Sequence, residues 1–347
     1  MSVVALGTYG TEPQNTVDNK YDNEQADDIV APFLWACVGI RASGKSYTVS
    51  TYLRWSQTVK KGVRSRPLYD EVYIISPSYK SNRDYWSDVI PEENWVLPEM
   101  CCVEHVIEKC EEEARKWDDY QRELKAYHEI VRKMQSNTEL SEDELMAAMA
   151  QGLLNAEDWL AKRVPPPPVW ERHIENEEDR PAQMCLVIDD CLGQNALLNS
   201  TGLMRLACLN RHVAPFEEPW TSKRTGKTRS AIGLSLVYLT QTYRCQGPGP
   251  SRTLRENLTC ASVWRNRQPK MLQSIVEELG SIVGQRRFAL AYNEAVKEPH
   301  GCVNVEFKPN NPDLQFRRGL KEAIIVPETS ADETKAVAAT SASGVMR

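Results

Sequence analysis

The sequence predicts an α/β fold in which a mostly parallel central sheet is flanked by helices. Short apolar runs of strand length recur along the chain, and segments with helical spacing separate them. A glycine-containing loop follows the apolar run Phe33 to Val38. A later run, Met184 to Ile188, ends in two carboxylates. A strand, a glycine loop and a helix, followed downstream by a strand ending in acids, are typical of a nucleotide-binding sheet.

Composition limits the classes of protein that the chain can belong to. Its 347 residues suffice for one large domain with insertions or for two domains. The net charge of −6 argues against a surface that coats DNA, but it does not exclude a motor that touches DNA with a few loops inside a ring. No apolar run approaches the length of a membrane span, and an intracellular protein is expected. The ten cysteines form no CxxC pair, which predicts neither a metal cluster nor a disulfide framework.

The loop after the first apolar run matches the pattern G-x-x-x-x-G-K-[ST]. Backbone N–H groups of such a loop close around phosphate oxygens, and the following helix N-terminus adds partial positive charge. We expect Lys45 to reach the β- and γ-phosphates and Ser46 to ligate Mg²⁺. A glycine turn without a ligand is the alternative. The residues predicted to contact the nucleotide are Gly39, Arg41, Ala42, Ser43, Gly44, Lys45, Ser46 and Tyr47.

The acidic pair supplies the second half of the predicted site. In P-loop ATPases an Asp at the end of a buried strand holds the Mg²⁺ shell, and Asp189 fits that role. Asp190 stands where many such enzymes carry a Glu that polarises the attacking water, and an Asp can do the same work with a shorter reach. In the alternative interpretation both carboxylates only cap the next segment.

A third buried run, Leu234 to Gln241, ends in polar residues. If this strand lies between the glycine-loop strand and the Asp189 strand, Gln241 is placed beside the γ-phosphate. It could then orient water and report the nucleotide state.

The remaining chain is predicted as one domain, 29–326, between a disordered or loosely docked arm (1–28) and a disordered tail (327–347). A helical insertion is predicted at 100–168, with helices Val103 to Met134 and Ser141 to Lys162 and a capping box at Ser141 and Glu144. It is either a surface hairpin or a lid or intersubunit contact. Further predicted elements are strands at Glu71 to Ser76 and Thr259 to Arg265, helices at Thr201 to His212, Pro269 to Val283 and Arg287 to Val296, and an edge strand at Cys302 to Phe307.

A basic segment, 215–230, is predicted as a β-hairpin or flexible loop. It carries Lys223, Arg224, Lys227 and Arg229. One interpretation is a pore loop on DNA phosphates, and the other is a solvated hairpin.

The motifs GIRASGKS, LVIDD, NRH, LVYLTQTYR and LRENL, in this order, resemble those of genome-packaging ATPases of large and intermediate DNA viruses. These form the poxvirus-like branch of the FtsK–HerA superfamily. The resemblance covers roughly Phe33 to Trp264, interrupted by the insertion. It implies an additional-strand P-loop NTPase fold, a homo-oligomeric ring (a pentamer or hexamer) and ATP-driven movement of double-stranded DNA into a capsid. A capsid or portal protein is a further implied partner, in the host cytoplasm, a viral factory or the virion.

The resemblance also implies roles for particular residues, with ATP and Mg²⁺ as ligands. It assigns the phosphate and Mg²⁺ contacts to Lys45 and Ser46, the second Mg²⁺ group to Asp189, the water-activating acid to Asp190 and the sensor to Gln241. A ring usually supplies a catalytic arginine from the neighbouring subunit, for which we favour Arg211 over the alternatives Arg205 and Arg255. The chain departs from the family in having Asp190 in place of Glu and a bulky loop interior, Ile40-Arg41-Ala42.

Two other functions share these residues. A related FtsK–HerA-type DNA pump or helicase would need the same site. A non-motor P-loop NTPase or nucleotide kinase would need only a monomer, and the kinase would also need a lid with arginines.

Overall fold

The computed structural model describes residues 2–5, 29, 31–59, 66–136, 138–191, 193–194, 197, 200–244, 250–309 and 311–326. Its strands are β1 (Ser2–Ala5), β2 (Leu34–Val38), β3 (Glu71–Ile75), β4 (Trp95–Val96), β5 (Met184–Ile188), β6 (Ala214–Thr221), β7 (Thr228–Ile232), β8 (Leu234–Thr240), β9 (Cys260–Trp264), β10 (Cys302–Glu306), β11 (Phe316–Arg318) and β12 (Glu322–Ile325). Its helices are α1 (Lys45–Gln57), α2 (Arg83–Trp86), α3 (Cys102–Gln135), α4 (Glu142–Ala150), α5 (Ala156–Leu160), α6 (Thr201–Leu209), α7 (Arg252–Glu256), α8 (Pro269–Val283) and α9 (Gln285–Ala295).

Ten strands form one sheet in the order β1-β12-β11-β10-β9-β2-β8-β5-β3-β4. The strands from β9 to β4 are all parallel, whereas β10, β11, β12 and β1 continue the sheet antiparallel. β8 lies between β2, which leads into the glycine loop, and β5, which ends at the acidic pair. This inserted strand defines the additional-strand class of P-loop NTPase fold, so the predicted fold class is confirmed.

Alternate residues of β2 pack into two different cores, because successive side chains of a strand point to opposite faces. Trp35 and Cys37 belong to the core that includes residues of α1 on one face, whereas Leu34 and Ala36 belong to the core that includes residues of α3, α8 and α9 on the other. A parallel strand covered on both faces needs apolar residues at every position. This requirement explains the uninterrupted apolar runs of β2 and β5 and the largely apolar, fully buried β8.

The helical insertion differs from the predicted surface hairpin in its first half. Val106, Cys110 and Ala114 of α3 belong to the main core, whereas the middle of α3 forms a small aromatic cluster with Trp170 and its far end forms another small core with α4. The predicted helix Ser141 to Lys162 is wrong as one element, because the chain turns at Gly152 (φ +70°) and α5 begins after Asn155 caps it. The capping box at Ser141 is present as predicted.

Two further predictions need correction at the antiparallel end of the sheet. Ser2–Ala5, predicted as part of a disordered arm, pairs antiparallel with β12 through its backbone. The predicted edge strand at Cys302 to Phe307 is an internal strand, because β9 and β11 pair with its two sides and all five of its residues are buried. The rest of the predicted arm and the tail from residue 327 lie outside the described residues.

The parallel strands end at two opposite edges of the sheet. The carboxyl edge is the end at which Val38, Ile188 and Thr240 lie, and the amino edge is the opposite end. β6 and β7 form a separate two-stranded antiparallel hairpin at the amino edge. Among the helices in the described part of the chain, none is long and apolar enough to cross a membrane.

Candidate functional site

The glycine loop connects the end of β2 to the start of α1 at the carboxyl edge. Gly44 has φ +101°, a backbone conformation that residues with a side chain rarely adopt. Ala42 in the same loop also has a positive φ, +59°. A Cβ atom at Gly39 would lie 2.8 Å from Cβ of Trp264, closer than packed side chains approach. Both glycines of the motif are therefore required by the path of the backbone.

Lys45 lies inside the loop and is buried. Its Nζ donates to the carbonyl oxygens of Gly39 at 2.8 Å and Ile40 at 3.0 Å. Burial lowers the pKa of the ammonium, and the nearby Asp189 opposes this effect. The chain thus holds a cation at the centre of a loop whose glycines leave its backbone open to a ligand.

Ser46 and Asp189 meet although 143 residues separate them in sequence. Ser46 Oγ donates to Asp189 Oδ2 at 3.2 Å, and the two residues follow strands that are not neighbours in the sheet. Asp189 is only 4% exposed. Burial raises the pKa of Asp189 to about 6; the charge of Asp190 adds to this rise, and the hydrogen bond from Ser46 opposes it.

Asp190 and Gln241 lie side by side at the ends of β5 and β8. Asp190 is exposed and adopts φ +55°, a conformation that Asp tolerates better than most residues. Gln241 Nε2 approaches Asp190 Oδ1 at 3.5 Å, the outer limit of a hydrogen bond. Gly39 N donates to Thr240 O at 3.1 Å, which ties the glycine loop to β8.

Lys45, Ser46, Asp189, Asp190 and Gln241 line one cleft of about 920 Å³, whereas the predicted contact Gly39 is not among its lining residues. Sequence reasoning missed part of its wall, because the residues concerned belong to no motif and reach the cleft only through the fold. Arg54 of α1 helps to position one of these segments, since its Nη2 donates to Asp88 at 3.1 Å and to the carbonyl of Tyr85 at 3.3 Å. The missed residues are Ser78, Ser81, Asn82, Tyr85 and His300.

The donors in the cleft fit a magnesium nucleotide. Hydroxyl and carboxylate oxygens such as those of Ser46 and Asp189 are the ligands that Mg²⁺ prefers. Within the described residues, the buried hydroxyl of Ser43 has no hydrogen-bond partner. Arg41, Ala42 and Tyr47, which the sequence also predicts as nucleotide contacts, line the same cleft.

Arg211 is not in this cleft. It follows α6 at the amino edge, where the carbonyl of the adjacent Asn210 accepts a hydrogen bond from Leu234 N at the start of β8. The alternatives are engaged elsewhere: Arg205 pairs with Glu111 at 3.2 Å, and Arg255 pairs with Glu278 at 2.9 Å. An exposed Arg211 on the opposite edge could meet a cleft only if that cleft belongs to another subunit.

The basic hairpin also lies at the amino edge. Arg229 is buried and donates to the carbonyls of Pro181 at 3.4 Å and Ala182 at 3.2 Å, so its charge holds the hairpin against the sheet. Glu178 accepts from Lys223 N at 2.6 Å and fixes the turn. Because Arg229 is buried, the exposed positive charges of the hairpin lie in its turn.

No family model and no curated protein matches this chain. Among solved structures it is similar to the genome-packaging NTPase B204 of Sulfolobus turreted icosahedral virus 2. The sulfate complex is 12% identical with a TM-score of 0.38, over 87% of this chain and 100% of that one. The ATPγS complex is 11% identical with a TM-score of 0.35, over 82% and 95%. The pCW3 conjugation coupling protein TcpA is 13% identical with a TM-score of 0.36, over 83% and 65%. TM-scores below 0.5 do not assign an activity to the chain.

Proposed function

We propose that this protein is an ATPase that moves double-stranded DNA, and that its cargo is a viral genome entering a capsid. The observation that supports ATP hydrolysis is the 3.2 Å contact between Ser46 Oγ and Asp189 Oδ2, with β8 between their strands. Two distant segments meet there with a hydroxyl and a carboxylate, beside the glycine loop and its lysine.

Five residues of the cleft then have roles in hydrolysis. Lys45 exchanges its loop carbonyls for phosphate oxygens and neutralises their charge. Asp190 accepts a proton from the attacking water, and Gln241, in contact with Asp190, orients that water. Mg²⁺, held through Ser46 and Asp189, would neutralise charge on the phosphates.

The DNA-moving part of the proposal draws on the order of the motifs and on the amino edge. The motif series that ends in TQTYR and LRENL resembles that of packaging ATPases. Arg211 faces away from its own cleft, as a residue that completes a neighbour's site in a ring of five or six subunits must do. Capsid or portal proteins are the further partners we propose, in the host cytoplasm, a viral factory or the virion.

A related DNA pump or helicase is the second candidate, because its cleft would be identical. The exposed turn of the hairpin suits phosphate contacts in either case.

The test is the rate of ATP hydrolysis with and without double-stranded DNA, with the Lys45→Ala variant as the blank. We expect hydrolysis that DNA stimulates, and none in the variant. Hydrolysis without DNA stimulation would contradict a translocase and favour a signalling NTPase or kinase. Strand displacement by the same preparation would favour the helicase over the packaging motor.

A further inference from the structure

His300 lies beside the glycine loop, on the side of the antiparallel strands of the sheet. It lies in the turn between α9 and β10, is exposed, and lines the cleft. Its Nδ1 is 3.4 Å from the carbonyl oxygen of Ser43. A Cβ atom at Gly44 would lie 3.5 Å from Cβ of His300. The imidazole is thus a neighbour of the loop itself.

The turn that carries His300 is fixed on several sides. His300 adopts φ +61°, and a Cβ at the adjacent Gly301 would lie 2.2 Å from the carbonyl oxygen of Ala295. Arg318 pairs with Glu294 at 2.9 Å and with Glu298 at 3.6 Å. A left-handed histidine held this firmly costs conformational energy, and such strain concentrates at functional positions.

His300 and Asp189 stand on opposite sides of the glycine loop. β2 has β8 and then β5 on one side, and β9 and then β10 on the other. Asp189, Asp190 and Gln241 follow β5 and β8, whereas His300 lies two residues before β10. A triphosphate whose metal-bound end lies between Ser46 and Asp189, and which crosses the glycine loop, would bring its nucleoside end to the part of the cleft that His300 lines.

A second group on that side has an unused hydrogen-bonding atom. Trp264, the last residue of β9, is 1% exposed, and its indole Nε1 has no partner among the described residues. This nitrogen lies 3.7 Å from the Cβ position of Gly44.

We propose that His300 is the nucleoside-binding residue of the cleft and stacks its imidazole on the base of a nucleoside triphosphate. This inference rests on the proposed function, because it needs the phosphates in the glycine loop. Stacking on an aromatic ring tolerates any base, so His300 sets affinity for nucleotides over free polyphosphate more than the choice between ATP and GTP.

The experiment compares two probes on the intact chain, Mg²⁺-ATPγS and Mg²⁺-tripolyphosphate, which lacks the nucleoside. Their dissociation constants are measured by calorimetry for the wild type, His300→Ala and His300→Phe. We expect His300→Ala to weaken ATPγS binding about tenfold and to leave tripolyphosphate binding unchanged. His300→Phe, which keeps a ring, should retain most of the affinity. His105→Ala, an exposed histidine on α3, is the control.

Three results overturn the proposal. Equal losses for both probes would mean that His300 acts by shaping the loop, and no loss would mean that the nucleoside lies elsewhere. A His300→Phe variant as weak as His300→Ala would exclude stacking. If the wild type binds tripolyphosphate but not ATPγS, or binds neither, the proposed function fails first, so the two failures are distinguishable.

Discussion

The carboxyl and amino edges of the sheet are built in different ways. At the carboxyl edge, turns of a few residues follow β2, β5 and β8 and bring Lys45, Asp189 and Gln241 into one cleft. At the amino edge, the hairpin packs against α3 and the segment before β5, and Arg211 lies exposed beside it. β8 has seven residues, so at about 3.3 Å per residue the edges lie roughly 20 Å apart.

This difference determines whether the residues of each edge can act within one subunit or only on another molecule. If a nucleotide binds in the cleft as proposed, the groups at the carboxyl edge can all touch it within a single subunit. Groups at the amino edge cannot reach that nucleotide, so any part they play in hydrolysis or DNA contact must involve another molecule. Four predictions test this division.

The largest effect is expected at Arg211. If it completes a neighbour's cleft, Arg211→Ala should lower ATP hydrolysis about 10³-fold, as loss of a trans arginine does in related classes. Mixing Arg211→Ala with Lys45→Ala should restore part of the rate, since a mixed interface holds one intact site. Arg205→Ala, already paired with Glu111, is the control and should change little. Normal hydrolysis by the Arg211→Ala variant alone would show that Arg211, and with it the amino edge, takes no part in catalysis.

The metal contact is tested by changing the ligand atom of Ser46. Ser46→Cys should lower Mg²⁺-supported hydrolysis about 100-fold, because a thiolate is a poor ligand for Mg²⁺ and a good one for softer ions. Adding Cd²⁺ to the Mg²⁺ assay should restore part of the rate. Ser43→Cys places a thiol in the same loop and away from Asp189, so Cd²⁺ should not activate that variant. Equal responses of the two variants would argue against a metal at Ser46.

Removing the positive charges of the hairpin turn should weaken the stimulation of hydrolysis by DNA and leave hydrolysis without DNA unchanged. The triple variant Lys223→Gln, Arg224→Gln, Lys227→Gln should lower DNA stimulation a few-fold. Its DNA affinity should depend less steeply on salt, by about one unit of log–log slope for each phosphate that the turn no longer binds. Lys125→Gln, on α3 at the same edge, is the charge-matched control for one lysine. An unchanged salt slope would mean that the hairpin is only a solvated surface.

The smallest expected effect is the gain in stability that follows when the buried carboxylate of Asp189 is replaced. Because its pKa is raised to about 6, the folded protein binds a proton more tightly than the unfolded chain, whose Asp titrates near 4. The free energy of unfolding therefore falls as pH rises from about 4 to 6 and stays lower above that.

Asp189→Asn removes this cost, and we expect about 1–3 kcal/mol of added stability at pH 8 and less at pH 5. Urea unfolding at the two pH values measures it. Asp190→Asn, at the exposed neighbour, should gain less. A loss of stability in Asp189→Asn at pH 8 would mean that the attraction of Lys45 and the hydrogen bond from Ser46 outweigh the burial of the charged carboxylate.

The elements of the carboxyl edge could be predicted because their signals are local. A strand, its turn and the polar residues that follow are adjacent in sequence, so Asp189 and Gln241 could be assigned to the ends of their strands and Lys45 to the start of the helix after the glycine loop. The fold class, with β8 between β2 and β5, is confirmed. The roles of these residues in hydrolysis stay predictions.

The parts that the sequence did not predict depend on distant segments. His300 reaches the cleft through a turn that Arg318 and Glu294 hold, and no motif marks it. The short strand β11, which pairs with β10 on one side and β12 on the other, converts the predicted edge strand into an internal one through backbone pairing. From the sequence alone, Arg229 is predicted to be an exposed charge of the hairpin. In the structure it is buried, and its guanidinium donates to a backbone carbonyl of another segment.

The central claim is that the carboxyl edge binds one metal-nucleotide between Ser46 and Asp189. The most direct test is a crystal structure with ATPγS and Mn²⁺, in which anomalous scattering locates the ion. We predict an ion about 2.1 Å from Ser46 Oγ, on the side of Asp189, with the phosphates in the glycine loop. An ion or triphosphate bound elsewhere, with the loop empty, would contradict the account.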